Sequence, residues 1–245
     1  MTRLTIAACA AALLLAAPVA AGTVDFLVPG VSLAAIEFEP GARVSYFIVS
    51  EAFGVPDTSV VDLAVLEHQM GEVLLEVASS PWPRARSETF TVRLRLVDRV
   101  REIFSPEEFR ECVLEILVRD GEEPFREPGE EELDELDIDG IFIRSRENAD
   151  RRSLGTELVE TGTGSFLCEK SEIVDSVVRP VTIGGIDARR VESERTVLWT
   201  SIEVPFWGLV RSRVERASTT EYPGSEQAAP LLSTTESLLR TLSRR

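Results

Sequence analysis

Hydrophobic and polar residues alternate along most of the chain from residue 42 onward. The alternation is clearest over residues 87–97, where Phe90, Val92, Leu94 and Leu96 are separated by Thr and Arg residues. A period of two is typical of strands with one buried and one solvated face. Comparable runs predict further strands over residues 42–50, 59–67, 72–79, 154–161, 164–176, 186–201 and 207–222.

Short turn-forming segments separate these predicted strands. The tetrapeptide His68-Gln69-Met70-Gly71 lies between two Val/Leu-rich runs and predicts an antiparallel hairpin. Gly and Pro residues break the pattern again at residues 162–164, 180, 184–185 and 205. Successive strands with short connections indicate a mainly β fold, an antiparallel sheet with a few short helices.

Two segments carry helix signals. Ser105-Pro106 is a helix start, but Cys112, Leu114 and Ile116 alternate, so we expect one helical turn followed by a strand. Residues 223–245 begin as a linker, and Ser233 to Glu236 then forms a potential capping box before three Leu residues. This pattern predicts a short C-terminal helix, which docks on the sheet or on a membrane surface, or stays unstructured.

The first 21 residues have the pattern of a secretory signal peptide. Arg3 precedes an apolar run from Leu4 to Ala17, and Pro18 and small residues follow it. The apolar run is shorter than the roughly 20 residues of a membrane-spanning helix. We therefore expect an exported protein, periplasmic or extracellular, without a transmembrane segment once the leader is removed. Residues 22–222 then form a single β domain.

The charge balance disfavours one large class of partners. Asp and Glu number 42 against 26 Lys and Arg, which gives a net charge of -16. A field of this sign repels polyanions, so no nucleic-acid partner is expected. Residues 120–139 hold eleven acidic residues against the single base Arg126, which predicts a solvated loop.

Two cysteines remain after removal of the predicted leader. Cys112 and Cys168 would form one disulfide in an oxidising compartment if their Cα atoms lie close enough. The alternative is two separately buried thiols.

Common catalytic and metal-binding patterns are missing from the sequence. The chain has one His, His68, and one Lys, Lys170, and it has no Gly-x-Ser-x-Gly elbow. Glu135, Asp137 and Asp139 resemble the first half of a calcium loop, but Arg146 occupies the position of the bidentate Glu. We therefore expect no enzyme, no metal and no cofactor. Carboxylate pairs suited to hydrolysis stay open, because 42 acidic residues provide many of them.

An aromatic cluster flanks a Pro-Gly corner between the last two predicted long strands. Its large apolar residues are candidates for the mouth of a ligand cavity: Trp199, Val204, Phe206, Trp207 and Leu209. The alternative is that these side chains plug the end of the hydrophobic core.

Several short motifs resemble the lipoprotein-carrier group of the LolA/LolB type and related secreted bacterial domains. They are Phe38-Glu39-Pro40-Gly41 leading into Val44 and Tyr46, the hairpin over residues 63–75, and Trp199-Thr200-Ser201 with Val204-Pro205 and Gly208-Leu209-Val210. The resemblance implies a strongly curved antiparallel sheet, a LolA-like half-barrel, whose apolar concave face holds acyl chains under a cover of helices. This sequence has few clear lid helices, and no carrier residue is transferred to it.

The function expected from these features is binding. An exported, non-enzymatic protein would bind a hydrophobic ligand, a lipid or a lipidated partner such as a lipoprotein in the cell envelope. The alternative is a structural or protein-interaction module with a solid core and no ligand.

Overall fold

The computed structural model describes residues 38–52, 55–83, 89–97, 111–130, 132–133, 150–183, 186–206, 208–223 and 230–243. Residues 1–21, the predicted leader, lie outside these ranges. Trp207 and the calcium-like residues Glu135, Asp137 and Asp139 lie outside them as well.

Within the described ranges, ten strands form one antiparallel sheet. They are β1 (Arg43–Ala52), β2 (Val55–Gln69), β3 (Glu72–Pro81), β4 (Phe90–Val97), β5 (Val113–Asp120), β6 (Asp150–Thr161), β7 (Gly164–Ile183), β8 (Ile186–Thr200), β9 (Leu209–Glu221) and β10 (Leu231–Ser243). Their order in the sheet is β5-β4-β3-β2-β1-β10-β9-β8-β7-β6, so β5 and β6 are its edges and it is not closed. The predicted mainly β, antiparallel fold is confirmed. Helical backbone in the described ranges is confined to residues 111–112, 130 and 132–133.

The turns follow from local sequence. Met70 and Gly71 join β2 to β3 with φ values of 53° and 82°, the left-handed geometry that two-residue hairpin turns require. Pro180 does not end a strand as the sequence suggested. It lies within β7, opposite Arg189 of β8, and β7 continues to Ile183.

The prediction of a short C-terminal helix is wrong. Residues 231–243 form β10, a strand, and not the predicted helix. β10 pairs with β1 on one side and β9 on the other, so it joins the two halves of the sheet. Leu239 is buried in the core, whereas the neighbouring Leu238 is partly exposed on the other face. Burial on the sheet outweighs the local capping signal, because an isolated short helix has little stability of its own.

One face of the sheet carries most of the hydrophobic core, and we call it the Tyr46 face. Tyr46 of β1 lies opposite Val61 of β2 and Leu239 of β10. On β3 and β4 the core continues through paired aliphatic residues, Val73 with Leu96, Leu75 with Leu94 and Val77 with Val92. Nearly all of these side chains are buried, which explains the strict alternation of the N-terminal strands.

The opposite face carries a mixed row, and we call it the Trp199 face. The strand register aligns Phe47, Leu238, Arg211, Trp199 and Lys170 across β1, β10, β9, β8 and β7. β6 pairs with β7 but also approaches β9 and β10. A Cβ on Gly162, in the β6–β7 turn, would lie 3.5 Å from the carbonyl oxygen of Arg240. The β6–β7 hairpin therefore curls back over the Trp199 face.

The first part of the acidic segment returns to the β5 edge. The backbone of Arg126 exchanges hydrogen bonds with Val118, and its guanidinium group contacts Asp120 at 3.1 Å and Glu132 at 2.7 Å. Hydrogen bonds from Arg126 and from the Gly129 amide lower the pKa of Glu132 to about 2. The one base of the segment thus holds part of the predicted solvated loop in place.

Cys112 and Cys168 are both buried and both free thiols. Of the two alternatives, a disulfide or two separately buried thiols, this structure has the second. Cys112 directly precedes β5, and seven strands lie between β5 and β7, which contains Cys168. Within the described residues, no helix has the length and apolar character needed to span a membrane.

Candidate functional site

The predicted aromatic cluster lies at the corner between β8 and β9, which we call the aromatic corner. Its described residues are packed into the core. Trp199, Val204, Phe206 and Leu209 belong to one buried cluster. None of them lines either of the two cavities described below. The structure therefore brings these predicted site residues together, and their role in ligand binding stays a prediction.

A close backbone approach fixes the corner. The Ser201 amide donates a 2.8 Å hydrogen bond to the carbonyl oxygen of Gly208. Gly208 has a φ of 74°, and a Cβ at this position would lie 2.7 Å from the carbonyl oxygen of Ser201. Only glycine fits this position without displacing the backbone.

A cleft lies on the Trp199 face, between β6 and the central strands β1, β9 and β10. It has a volume of about 400 Å³. Its lining comes from Phe47, Val49, Glu157, Leu158, Val159, Glu160, Arg211, Glu236, Ser237 and Leu238. The curl of the β6–β7 hairpin creates this space, because it places an edge strand over strands with which it does not pair.

Aliphatic side chains in the cleft are incompletely covered by the protein. Val49 is 44% exposed, Leu158 is 62% exposed and Leu238 is 36% exposed. These three residues come from β1, β6 and β10. All three residues line the same cavity.

A stacked aromatic–cation group adjoins the cleft. The guanidinium group of Arg211 lies 4.9 Å from the ring centre of Trp199, and the Lys170 ammonium group lies 4.7 Å from it. Glu157 accepts hydrogen bonds from Lys170 Nζ at 2.8 Å and from Trp199 Nε1 at 3.1 Å. These two hydrogen bonds lower the pKa of Glu157. Glu157 stays ionised at neutral pH and fixes both partners.

A series of ion pairs crosses the Trp199 face and ends at Arg211. Arg195 contacts Glu172 at 2.7 Å and Glu215 at 3.3 Å. Arg213 then links Glu215, at 2.9 Å, to Glu236, at 3.5 Å. Arg211 is the last member, with its guanidinium nitrogen 3.7 Å from Glu236. Since this last distance exceeds a hydrogen bond, Arg211 is held mainly by stacking on Trp199.

Cys168 lies close to Glu157, but its thiol is not activated as a nucleophile. Burial raises the pKa of its thiol to about 11, and the charges of Glu157 and Glu203 add to the shift. A thiol with a raised pKa is a poor nucleophile at neutral pH.

A second cavity, of about 640 Å³, lies at the far end of the sheet. It is lined by the tip of the β7–β8 hairpin and the end of β9, including Pro180, Asp187, Arg189 and Tyr222. It shares no residue with the cleft. Among the described residues, no group of three His, Cys, Asp or Glu side chains is arranged to hold a metal ion.

Sequence patterns alone missed the cleft residues. Arg211, Glu236 and Glu160 look like ordinary solvated positions of alternating strands. The sequence did contain one sign of a covered second face. Within otherwise alternating strands, two apolar residues stand next to each other at Leu158-Val159 and at Leu238-Leu239. An adjacent pair places one apolar side chain on each face, so one of them must find cover on the nominally polar side.

No family model matches this sequence, and no curated protein matches it. Among solved structures, a protein provisionally described as a lipoprotein from Parabacteroides distasonis is 12% identical, covers 85% of this chain and 98% of its own, and has a TM-score of 0.37. A DUF1329 family protein from Desulfovibrio piger is 11% identical, with coverages of 86% and 89% and a TM-score of 0.32.

A LolA superfamily protein from Nitrosomonas europaea is 7% identical, with coverages of 87% and 90% and a TM-score of 0.28. The group that the sequence resembles is therefore represented among similar solved structures.

Proposed function

We propose that this is an exported, non-enzymatic protein that binds an amphiphilic molecule, a lipid or a lipidated partner, in the cleft on the Trp199 face. The observation that carries the proposal is a cavity of about 400 Å³ whose lining includes the partly exposed aliphatic residues Val49, Leu158 and Leu238. Cavities that bind small molecules have volumes of roughly 300–1,000 Å³.

An apolar chain in the cleft would cover surface that the protein leaves in contact with water. Each buried methylene group contributes about 0.8 kcal/mol. Phe47 and Val159 extend the apolar lining beyond the three exposed residues. Affinity should therefore rise with the length of the acyl chain that the cleft covers.

The cleft also favours a ligand with a polar end. Glu157, Glu160, Arg211 and Glu236 line the same space as the aliphatic residues. A purely apolar ligand would leave these charged groups against hydrocarbon, which costs free energy. An amphiphile offers an apolar chain to the aliphatic residues and a polar head to the charged ones.

Titration with a fluorescent acyl-chain probe tests this proposal. We expect saturable binding to the full chain and a marked loss of affinity in Leu158→Asp, which puts a charge into the aliphatic lining. Leu167→Asp is the matched control, because Leu167 is 65% exposed and lies opposite Leu158 on β7 without lining the cleft.

Two results would contradict the proposal. One is the absence of probe binding together with no acyl chains in lipid extracts of the purified protein. The other is equal affinity of Leu158→Asp and wild type. Either result favours the alternative, a structural or interaction module without a ligand.

A further inference from the structure

We propose that the end of the β7–β8 hairpin docks on a membrane surface that contains anionic phospholipids. The docking surface consists of residues 179–183 and 186–190, which we call the hairpin tip. This inference goes beyond the proposed function, because no residue of the hairpin tip lines the cleft. It follows from how far the hairpin tip projects, from the residues that share one of its faces, and from the charges on that face.

The hairpin tip projects beyond the strands next to it. β6 pairs with β7 only as far as Val174, and β9 pairs with β8 only from Arg189 onward. Within the described ranges, residues 175–183 of β7 therefore have β8 as their only strand neighbour. The hairpin tip is a two-stranded extension of the sheet, and its residues other than Ala188 are exposed or half-buried.

One face of the hairpin tip is apolar at its end and cationic farther back. The residues that lie opposite each other on this face are Ile183 with Ile186, Val181 with Ala188, and Arg179 with Arg190. The β7–β8 register has no irregularity here, so these side chains alternate onto the same side of the hairpin. Ile183 is 39% exposed and Ile186 is 56% exposed. The end of the hairpin therefore presents two aliphatic side chains to its surroundings.

The spacing of the two kinds of side chain fits a membrane interface. Ile183 follows Arg179 by four residues on β7, which is about 13 Å along a strand. Interfacial elements bury apolar side chains about 5–10 Å into the boundary between head groups and acyl chains. Because arginine side chains are long and flexible, their charged ends reach the phosphates from the strand behind the isoleucines.

The two arginines are poorly neutralised by the protein itself. The guanidinium group of Arg179 lies 3.9 Å from Glu192, and these side chains are 66% and 41% exposed. An ion pair of this kind is weak. Arg190 has no ion pair or side-chain hydrogen bond to any residue that the structure describes. Like charges directly opposite each other destabilise a sheet, and anionic phosphates bound to both guanidinium groups would remove that repulsion.

The charge of this segment has the opposite sign to that of the whole chain. Residues 178–191 contain three arginines and one acidic residue, whereas the chain carries a net charge of -16. Anionic lipids therefore repel most of the protein and attract the hairpin tip. This charge complementarity favours a membrane with anionic lipids as the partner, and it orients the chain with the hairpin tip toward that membrane.

The acidic residues near the hairpin tip lie away from the proposed contact. Asp187 is on the other face, where it accepts a 3.1 Å hydrogen bond from the Thr182 hydroxyl group. Glu221 of β9 is opposite Arg189, which belongs to that same face. On the docking face, Glu192 follows the arginines and is two residues farther from the end of the hairpin than Arg190.

Flotation of the full chain with lipid vesicles tests the inference. One set of vesicles is pure phosphatidylcholine, and the other is an equal mixture of phosphatidylcholine and phosphatidylglycerol. The pure phosphatidylcholine vesicles also report any binding through the apolar run from Leu4 to Ala17. Two variants alter the hairpin tip: the double variant Arg179→Gln with Arg190→Gln, and the single variant Ile186→Ser.

Each variant has a matched control elsewhere in the sheet. The double variant Arg43→Gln with Arg152→Gln removes the same charge from exposed residues of β1 and β6. Leu167→Ser removes an aliphatic side chain that is 65% exposed near the start of β7. Thermal unfolding of every variant shows whether it is folded. The variant without Arg179 and Arg190 should be at least as stable as wild type, because it loses a like-charge pair.

We expect wild type to bind the phosphatidylglycerol vesicles more tightly than pure phosphatidylcholine, with a loss of binding at high salt. Removing both arginines of the hairpin tip should weaken this binding about 25-fold, or about fivefold for each arginine. Ile186→Ser should weaken it about five- to tenfold. The two control variants should change it by less than about threefold, because salt screens distant charges.

Three results would overturn the inference. The first is the absence of binding to anionic vesicles, or equal binding by wild type and the arginine variant of the hairpin tip. The second is an equal loss in the charge-matched control, which would assign the effect to the general charge of the chain. The third is binding to heparin without binding to vesicles, which would indicate an acidic polymer as the partner. Acyl-probe titration reports on the cleft separately, so failure of the proposed function leaves the vesicle result unaffected.

Discussion

The hydroxyl group of Tyr46 in β1 donates a 2.9 Å hydrogen bond to the carbonyl oxygen of Leu209, the first residue of β9. The two residues are 163 positions apart in sequence, and β10 lies between their strands. The Tyr46 side chain is fully buried, and burial raises the pKa of its phenol far above the ordinary value. This bond ties the N-terminal half of the sheet to the aromatic corner.

Tyr46→Phe should lower the free energy of unfolding by about 1–2 kcal/mol. The ring still fills its place, but the Leu209 carbonyl group loses its buried donor. Urea denaturation followed by tryptophan fluorescence measures the change, with the wild-type protein as the reference. An unchanged denaturation midpoint in Tyr46→Phe would show that this bond does not stabilise the fold.

Gly208→Ala should destabilise the protein by about 2–3 kcal/mol. The substitution combines a left-handed backbone with a Cβ 2.7 Å from the Ser201 carbonyl oxygen. Gly71→Ala is the matched control, since its φ of 82° is similar and its Cβ would meet nothing within 4 Å. It should cost only about 1 kcal/mol. Equal thermal shifts for the two variants would contradict the close approach at the corner.

Leu239→Ala should cost about 2–4 kcal/mol, while Leu238→Ala should cost less than about 1 kcal/mol. Leu239 is fully buried on the Tyr46 face, and Leu238 is partly exposed on the Trp199 face. In the predicted helix these two residues would share the apolar side with Leu242. Denaturant unfolding of both variants therefore decides between strand and helix, and similar losses would favour the helix.

Cys168 should react slowly with iodoacetamide in the native protein. With a pKa of about 11, its thiolate fraction at pH 8 is about a hundredfold lower than that of a thiol at the ordinary value of 9.0. Mass spectrometry of the alkylated peptide should show slow labelling that accelerates in urea. Fast native labelling at pH 8 would contradict this environment, and a peptide disulfide-linked to Cys112 would show that the bridge forms after all.

The period-two pattern predicted most of the sheet because alternation reports burial on one face. Arg93 and Arg95 alternate with Leu94 and Leu96 in β4, so that strand was evident from sequence. β10 was not, because Ser233 to Glu236 has the local chemistry of a helix cap while its burial depends on β1 and β9, which lie far away in sequence. Tertiary contacts decide such segments against local propensity.

The cleft could not be predicted for a related reason. It depends on the curl that brings Leu158 of β6 over Leu238 of β10, two residues that share no strand pairing. The aromatic corner was visible in sequence because its residues are contiguous. Whether its side chains would fill the core or line a cavity depended on packing that local composition does not specify.

Photo-crosslinking with an acyl chain that carries a diazirine group tests the central claim most directly, because it reports where a bound chain lies. Mass spectrometry of the labelled protein should place the crosslinks on β6 residues 157–160 and β10 residues 236–238, with a loss of labelling in Leu158→Asp. Crosslinks at Trp199, Val204, Phe206 or Leu209 instead, or labelling that Leu158→Asp leaves unchanged, would contradict the cleft as the binding site.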